Sequence, residues 1–247
     1  MNHGTQMNNG LDIDRIAFFG RTYAEYLDIF GLDEAVLGQG RILDCPGGAS
    51  SFALEAARKG YGVTACDILY DRSATELFER GKKDIAHVFE NFDGVSHLYS
   101  WDYYRSKQQV MTLRNKALEM FVDDFSCCSV EGRFITAGLP LLPFLDGMFS
   151  LVLSAHFLFL YGDRLDLDFH KACLVELVRV CSGEVRIFPL VGLDAKPYPY
   201  MDEIPHFLAV KGIRTDIVKV PFEFQRGSDR MMRLSRNIIY QELSHGN

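Results

Sequence analysis

Two carboxylates 23 residues apart bracket the stretch of this sequence best suited to holding a ligand. Asp44 ends the apolar run Ile42-Leu43 and is followed by Pro46-Gly47-Gly48, while Asp67 ends the run Gly-Val-Thr-Ala-Cys-Asp at 62–67. Glycines lack a Cβ, so the backbone there bends tightly and approaches a ligand closely. A helix opening at Ser50 or Ser51 turns its first N–H groups into the same space, which favours anionic groups. A carboxylate ending the second strand of such a unit offers two acceptor oxygens to the vicinal hydroxyls of a ribose. The turn alone fits a purely geometric role equally well; Asp67 tips the reading toward a nucleoside-type ligand.

The glycine spacing narrows the choice. Pro46-Gly47-Gly48-Ala49-Ser50-Ser51 lacks the first and last glycines of G-x-G-x-x-G, which disfavours an NAD-dependent oxidoreductase. No Gly-Lys-Ser/Thr follows, which excludes a phosphate loop. His156, just past the apolar run 149–155, is the candidate general base, since imidazole exchanges a proton near neutral pH. A core histidine satisfied by a backbone carbonyl is the competing reading.

These residues need a sheet to position them. Strands are expected at 41–45, 62–67, 132–138, 149–155 and 184–191, with helices at 51–59, 167–181 and 201–212 between them. A helix over 21–37 is interrupted at Gly31, and 214–224 with 230–236 form a closing hairpin. Strand, helix and strand fit within about thirty residues, the length of a right-handed βαβ unit. The fold class is therefore α/β: a Rossmann-like, doubly wound, mostly parallel sheet with a C-terminal antiparallel hairpin. Residues 71–131 are charged and amphipathic without a convincing strand, and form a helical insertion between strands 2 and 3.

Composition sets the outer limits. Apolar residues make up 48% and charged residues 24% of 247, with a net charge of −7, as in an ordinary soluble protein. No basic run exceeds Lys82-Lys83, so no nucleic-acid partner is expected. The six cysteines show no metal-ligand spacing, so no metal is expected and all six are read as reduced thiols. The first twenty residues lack a signal-peptide pattern, and no eighteen apolar residues run together. A soluble, cytoplasmic protein with no membrane partner is the expectation; the oligomeric state is not legible.

From the first strand through its helix to Asp67, and again over 132–190, the chain resembles class I S-adenosylmethionine-dependent methyltransferases. The acidic residue opening that family's D-x-G-x-G-x-G motif is matched by Asp44, followed by Pro46, Gly48 and Ser50. Its L-P-F…F-D-L-V passage is matched by Leu142-Pro143-Phe144 and Phe149-Ser150-Leu151-Val152. Three positions depart from the pattern: Pro46 for the first glycine, Gly138 for the Asp that accepts from the adenine amino group, and Ser150 for the Asp of strand 4.

The resemblance implies S-adenosylmethionine as cofactor, a small-molecule acceptor and one methyltransferase-like domain over 1–247. Within it, 1–40 would be an N-terminal helical segment and 71–131 a helical cap over the carboxyl edge. It further implies that the backbone around Gly47 and Gly48 cradles the methionine part, with Asp44 and Pro46 in the same cofactor-binding turn, Asp44 ordering it. Asp67 and Ile68 would meet ribose and adenine, Gly138 and Leu139 the adenine edge, and Ser154 the sulfonium. Arg21 and Tyr26 would close over the methionine carboxylate, against a competing reading as a surface Arg and a packing Tyr. The alternative from another class is a non-catalytic ligand-binding or scaffold protein that keeps the fold.

Overall fold

A computed structural model describes residues 10–11, 13–128 and 132–237. The remaining parts of the N-terminal segment and of the insertion, residues 1–9, 12 and 129–131, lie outside the described residues. The sheet contains β1 (Ile42–Asp44), β2 (Val63–Asp67), β3 (Phe134–Thr136), β4 (Phe149–Ala155), β5 (Cys181–Phe188), β6 (Ile213–Lys219) and β7 (Arg230–Arg236). Their order is β3-β2-β1-β4-β5-β7-β6, with β1 to β5 parallel and β7 antiparallel to both its neighbours. This is a Rossmann-like, mostly parallel topology closed by an antiparallel hairpin. The order reverses between β1 and β4, and open α/β sheets hold ligands outside the carboxyl ends of the strands at that point.

Alternation along the strands divides the core in two. Ile42, Leu151 and Leu153 pack on one face of the sheet, with Tyr26, Phe30, Phe52 and Phe121. Leu43, Val152 and Ile187 pack on the other, with Leu174, Leu177, Ile204 and Leu208. Helices α1 (Tyr23–Phe30), α3 (Phe52–Arg58) and α5 (Lys107–Cys128) thus cover the first face, and α6 (Leu167–Arg179) and α7 (Glu203–Val210) the second. All three residues of β1 and all five of β2 are buried, as strands covered on both faces must be.

Local chemistry sets the helix ends. Thr22 and Glu25 form a reciprocal capping box at the start of α1, and Gly31 ends it in the left-handed region at φ 56°. The expected 21–37 helix is therefore two, α1 and a single turn, α2 (Glu34–Leu37). Ser73 and Glu76 cap α4 (Ala74–Glu90) in the same way.

Two strand expectations are corrected. β3 is shorter than 132–138, and β5 begins at Cys181 rather than 184. Gly183 lies inside β5, where an added Cβ would stand 2.3 Å from the Ser150 carbonyl oxygen, so it serves close strand approach.

The insertion is helical, as expected, but its parts separate. α5 lies against the sheet face, with Phe121 and Phe125 packed on Tyr70 and Phe134. α4 packs on α5 at Gly81, where a Cβ would stand 2.6 Å from Leu118. Phe92, Tyr99 and Trp101 gather on Phe224, and Tyr103 and Tyr104 on Phe222, in the β6–β7 connection.

Candidate functional site

The carboxyl ends of β1, β2, β3 and β4 open into one cavity of about 400 Å³. Each strand delivers residues at or just past its end: Cys45–Gly48, Asp67–Leu69, Ala137–Leu139 and Ala155–Phe157. A strap of chain over 15–21 crosses above them. Buried Asp84 of α4 holds this strap, accepting from the Phe18 N–H at 2.7 Å and from Arg15 Nε at 3.0 Å. Gly20 seats it on the turn, since a Cβ there would lie 2.1 Å from the Ser50 nitrogen.

The turn after β1 is tied from three sides. Asp67 Oδ2 accepts from the Gly48 N–H at 3.1 Å, and its Oδ1 accepts from the Leu69 N–H at 2.9 Å. The Gly47 N–H donates to the Cys66 carbonyl at 2.8 Å, and Tyr70 Oη donates to the Gly48 carbonyl at 2.7 Å. Gly48 takes φ 53°, and a Cβ on Gly47 would stand 2.6 Å from Tyr70 Oη. Both glycines are therefore required, for different reasons. Burial raises the Asp67 pKa against the opposing pull of the Leu69 and Gly48 N–H groups.

Asp44 lies behind this cavity rather than in its wall. It is fully buried, and Tyr26 Oη donates to its carboxylate at 3.0 Å from each oxygen. Burial drives its pKa well up; the Tyr26 hydroxyl opposes that and the charge of Asp67 adds to it. Tyr26 itself lines the cavity with its hydroxyl engaged by Asp44.

Of the expected site residues, Arg21, Tyr26, Pro46, Gly47, Gly48, Asp67, Ile68, Gly138, Leu139 and His156 come together around one space. Ser154 does not join them. It is fully buried inside β4, and strand side chains stand off the sheet faces rather than its edge. Gly138 is set by packing, because a Cβ there would lie 2.2 Å from Ile68 Cγ2. Phe19, Arg80 and Phe169 also line the cavity and carry no signal in the sequence.

A second cavity of about 80 Å³ adjoins the first and shares Phe19, Arg21 and His156 with it. Its remaining wall is mostly apolar and aromatic, with Phe89, Phe92 and Tyr99 from the insertion and Phe222 and Phe224 from the β6–β7 connection. Phe89, Phe92 and Tyr99 of the insertion thus face this smaller space, while Arg80 of α4 reaches the larger one.

Two arginines, Arg21 in the shared wall and Arg114 in the wall of the smaller cavity, stand against one carboxylate, Glu25. Arg114, fully buried, donates to both oxygens of Glu25, to the Gly20 carbonyl at 3.1 Å and to Tyr104 Oη at 2.7 Å. Tyr104 Oη also donates to Glu25. Burial would raise the Glu25 pKa, but the charge and hydrogen bonds of Arg114 outweigh it and bring it down to about 2. Arg21 feels the Glu25 charge only through space, and its buried Nε donates to nothing among the described residues. Burial and the neighbouring charge of Arg114 lower its pKa to about 10. His156 is held at φ 53°, its N–H donating to the Phe188 carbonyl at 2.6 Å and its buried Nδ1 unpartnered among the described residues. Burial, then the charges of Arg21 and Arg114, drive its pKa well below the ordinary value, so the ring is neutral. A non-glycine residue in this backbone region at a strand end is a mark of functional sites.

Among the described residues no helix is long and apolar enough to cross a membrane, and no cluster of three His, Cys, Asp or Glu side chains could hold a metal. No family model matches the chain. Solved structures similar to it include magnesium protoporphyrin IX methyltransferase from Synechocystis with bound SAM, 15% identical over 79% of this chain and 69% of that one, TM-score 0.39. Another is 1,6-didemethyltoxoflavin-N1-methyltransferase from Burkholderia thailandensis, 14% identical over 87% of this chain and 84% of that one, TM-score 0.41. The chain is 30% identical, over 227 residues, to the uncharacterized protein MJ0045 of Methanocaldococcus jannaschii, covering 92% of this chain and 99% of that protein. The chain belongs to the family of that archaeal protein.

Proposed function

We propose that the protein binds S-adenosylmethionine in the larger cavity and transfers its methyl group to a small-molecule acceptor. The observation that carries this reading is the joining of Asp67 to the Gly47-Gly48 turn at the carboxyl edge where the strand order reverses. Cavities of about 300–1,000 Å³ suit small ligands and cofactors, and this one falls in that range. The residues fit the group. Each Asp67 oxygen accepts one backbone N–H and retains a lone pair for a ribose hydroxyl. Ile68, Leu69 and Leu139 offer apolar surface to a purine, and Gly47 and Gly48 let the backbone approach the methionine part.

When bound, S-adenosylmethionine supplies an electrophilic methyl group on a sulfonium. The strap over 15–21 covers the site and excludes water, while the turn and Asp67 fix the ligand; positioning of this kind supplies much of the catalysis in a displacement. His156 is the proposed general base, because it is neutral, has a free Nδ1 and stands between the two cavities. The insertion, as a proposed partial cap, walls the acceptor space with Phe89, Phe92 and Tyr99. A reducing, cytoplasmic setting belongs to the same reading, since Cys45, Cys66, Cys173 and Cys181 are buried thiols. Calorimetric titration with S-adenosylmethionine, S-adenosylhomocysteine and NAD tests the assignment: the first two bind and NAD does not.

A further inference from the structure

We propose that the smaller cavity holds a small phenolic acceptor, its ring among the aromatic side chains and its oxygen between Arg21 and His156. This rests on the methyltransferase reading of the larger cavity and names the substrate class of the same enzyme. Three observations carry it. The walls of the smaller cavity hold two arginines and no carboxylate; buried Glu25 behind them hydrogen-bonds Arg114 and attracts Arg21 only through space, one negative charge against two positive ones. A site left with one excess positive charge and an unmet guanidinium N–H is matched by a ligand that brings negative charge. Phe89, Phe92, Tyr99, Phe222 and Phe224 surround the space with ring surface, and it adjoins the larger cavity at Phe19, Arg21 and His156.

The third observation separates a phenol from a carboxylate. A carboxylate satisfies Arg21 but arrives already ionised and has no proton for the free Nδ1 of His156. A phenol uses both groups: its proton passes to His156 Nδ1, and Arg21 faces the phenolate oxygen that results. That oxygen then forms the new bond to the methyl carbon as the carbon–sulfur bond breaks, the electron pair remaining on sulfur. The other titratable groups around this wall are Arg114 with Glu25 and Tyr104, and Tyr99, Tyr161 and Tyr26. Burial raises the pKa of each tyrosine, so Arg21 and Arg114 are the cations that a phenolate meets.

4-Nitrophenol reports its own ionisation by absorbance and serves as the probe, added to protein saturated with S-adenosylhomocysteine. The bound probe is expected to ionise at least one pH unit lower than the free one, a tenfold preference for phenolate, and nitrobenzene to bind at least tenfold more weakly. Arg21→Met, compared with the parent at saturating S-adenosylhomocysteine, should return the ionisation to the free value. Because Arg21 Nε makes no hydrogen bond, the thermal midpoint of this variant should not fall, and Arg21→Lys should keep part of the shift. An absent or opposite shift, or no binding of the probe, overturns the proposal. So does an Arg21→Met variant that loses S-adenosylhomocysteine tenfold while treating nitrophenol normally, which would assign Arg21 to the methionine carboxylate. If S-adenosylhomocysteine does not bind but nitrophenol ionises through Arg21 in its absence, the phenol site stands and the methyltransferase reading fails.

Discussion

Asp67 and Gly48 are joined by a 3.1 Å hydrogen bond from the Gly48 N–H to Asp67 Oδ2, which locks the end of β2 to the turn after β1. One carboxylate thereby shapes the turn and faces the cavity. Asp67→Ala removes both functions, so S-adenosylhomocysteine affinity should fall about ten- to a hundredfold, the equivalent of roughly 1.5–3 kcal/mol for a charge-assisted bond. The thermal midpoint should fall as well, because two backbone N–H groups lose their acceptor. Unchanged affinity in a folded variant removes the ribose assignment.

Asp44 should behave differently, since it lies behind Tyr26 and lines neither cavity. Its pKa is raised in the folded state, so its contribution to stability is full at low pH and is lost as pH rises from the ordinary carboxylate range through the raised value. Asp44→Asn is uncharged throughout, and the midpoint of the unmutated protein should therefore decline relative to this variant between pH 4 and 8. A constant difference across that range contradicts the buried-carboxyl account.

The Glu25–Arg114 pair makes the opposite prediction with pH. The Glu25 pKa is depressed to about 2, so its stabilisation is full above the ordinary value of 4.5 and is lost as pH falls toward 2. Glu25→Gln leaves Arg114 buried without a counter-charge and should destabilise by roughly 3–5 kcal/mol. The double variant Glu25→Gln/Arg114→Met should recover part of that loss in denaturant titrations. A single variant as stable as the parent would show that the pair is not needed.

His156→Ala should lower turnover on the true acceptor by roughly 10²–10⁴ while S-adenosylhomocysteine affinity stays nearly intact. The histidine pKa is depressed, so the base remains neutral through the mildly acidic range and the acid limb of the rate profile should lie well below pH 6.5. If His156 is only a packing residue against Phe188, the variant will instead melt lower with normal turnover.

The parts of the site legible in the sequence were the local ones. Gly47, Gly48 and Asp67 follow directly from two strands about twenty residues apart, and Gly31 punctuates α1 where its φ of 56° requires. Long-range partners were not legible. Arg114 reaches Glu25 across 89 residues and Asp84 reaches Phe18 across 66, and neither pairing leaves a periodic or compositional trace. Ser154 was misplaced because counting from a strand end does not say whether a side chain meets the edge or a face. Only the fold shows that Phe89, Phe92 and Tyr99 of the insertion meet Phe222 and Phe224 around a second cavity.

The most direct test of the central claim is the calorimetric titration of the purified protein with S-adenosylhomocysteine, followed by competition with NAD. The account predicts saturable binding at one site per chain, unaffected by excess NAD and weakened at least tenfold by Asp67→Ala. No heat with S-adenosylhomocysteine, or its displacement by NAD, would contradict it.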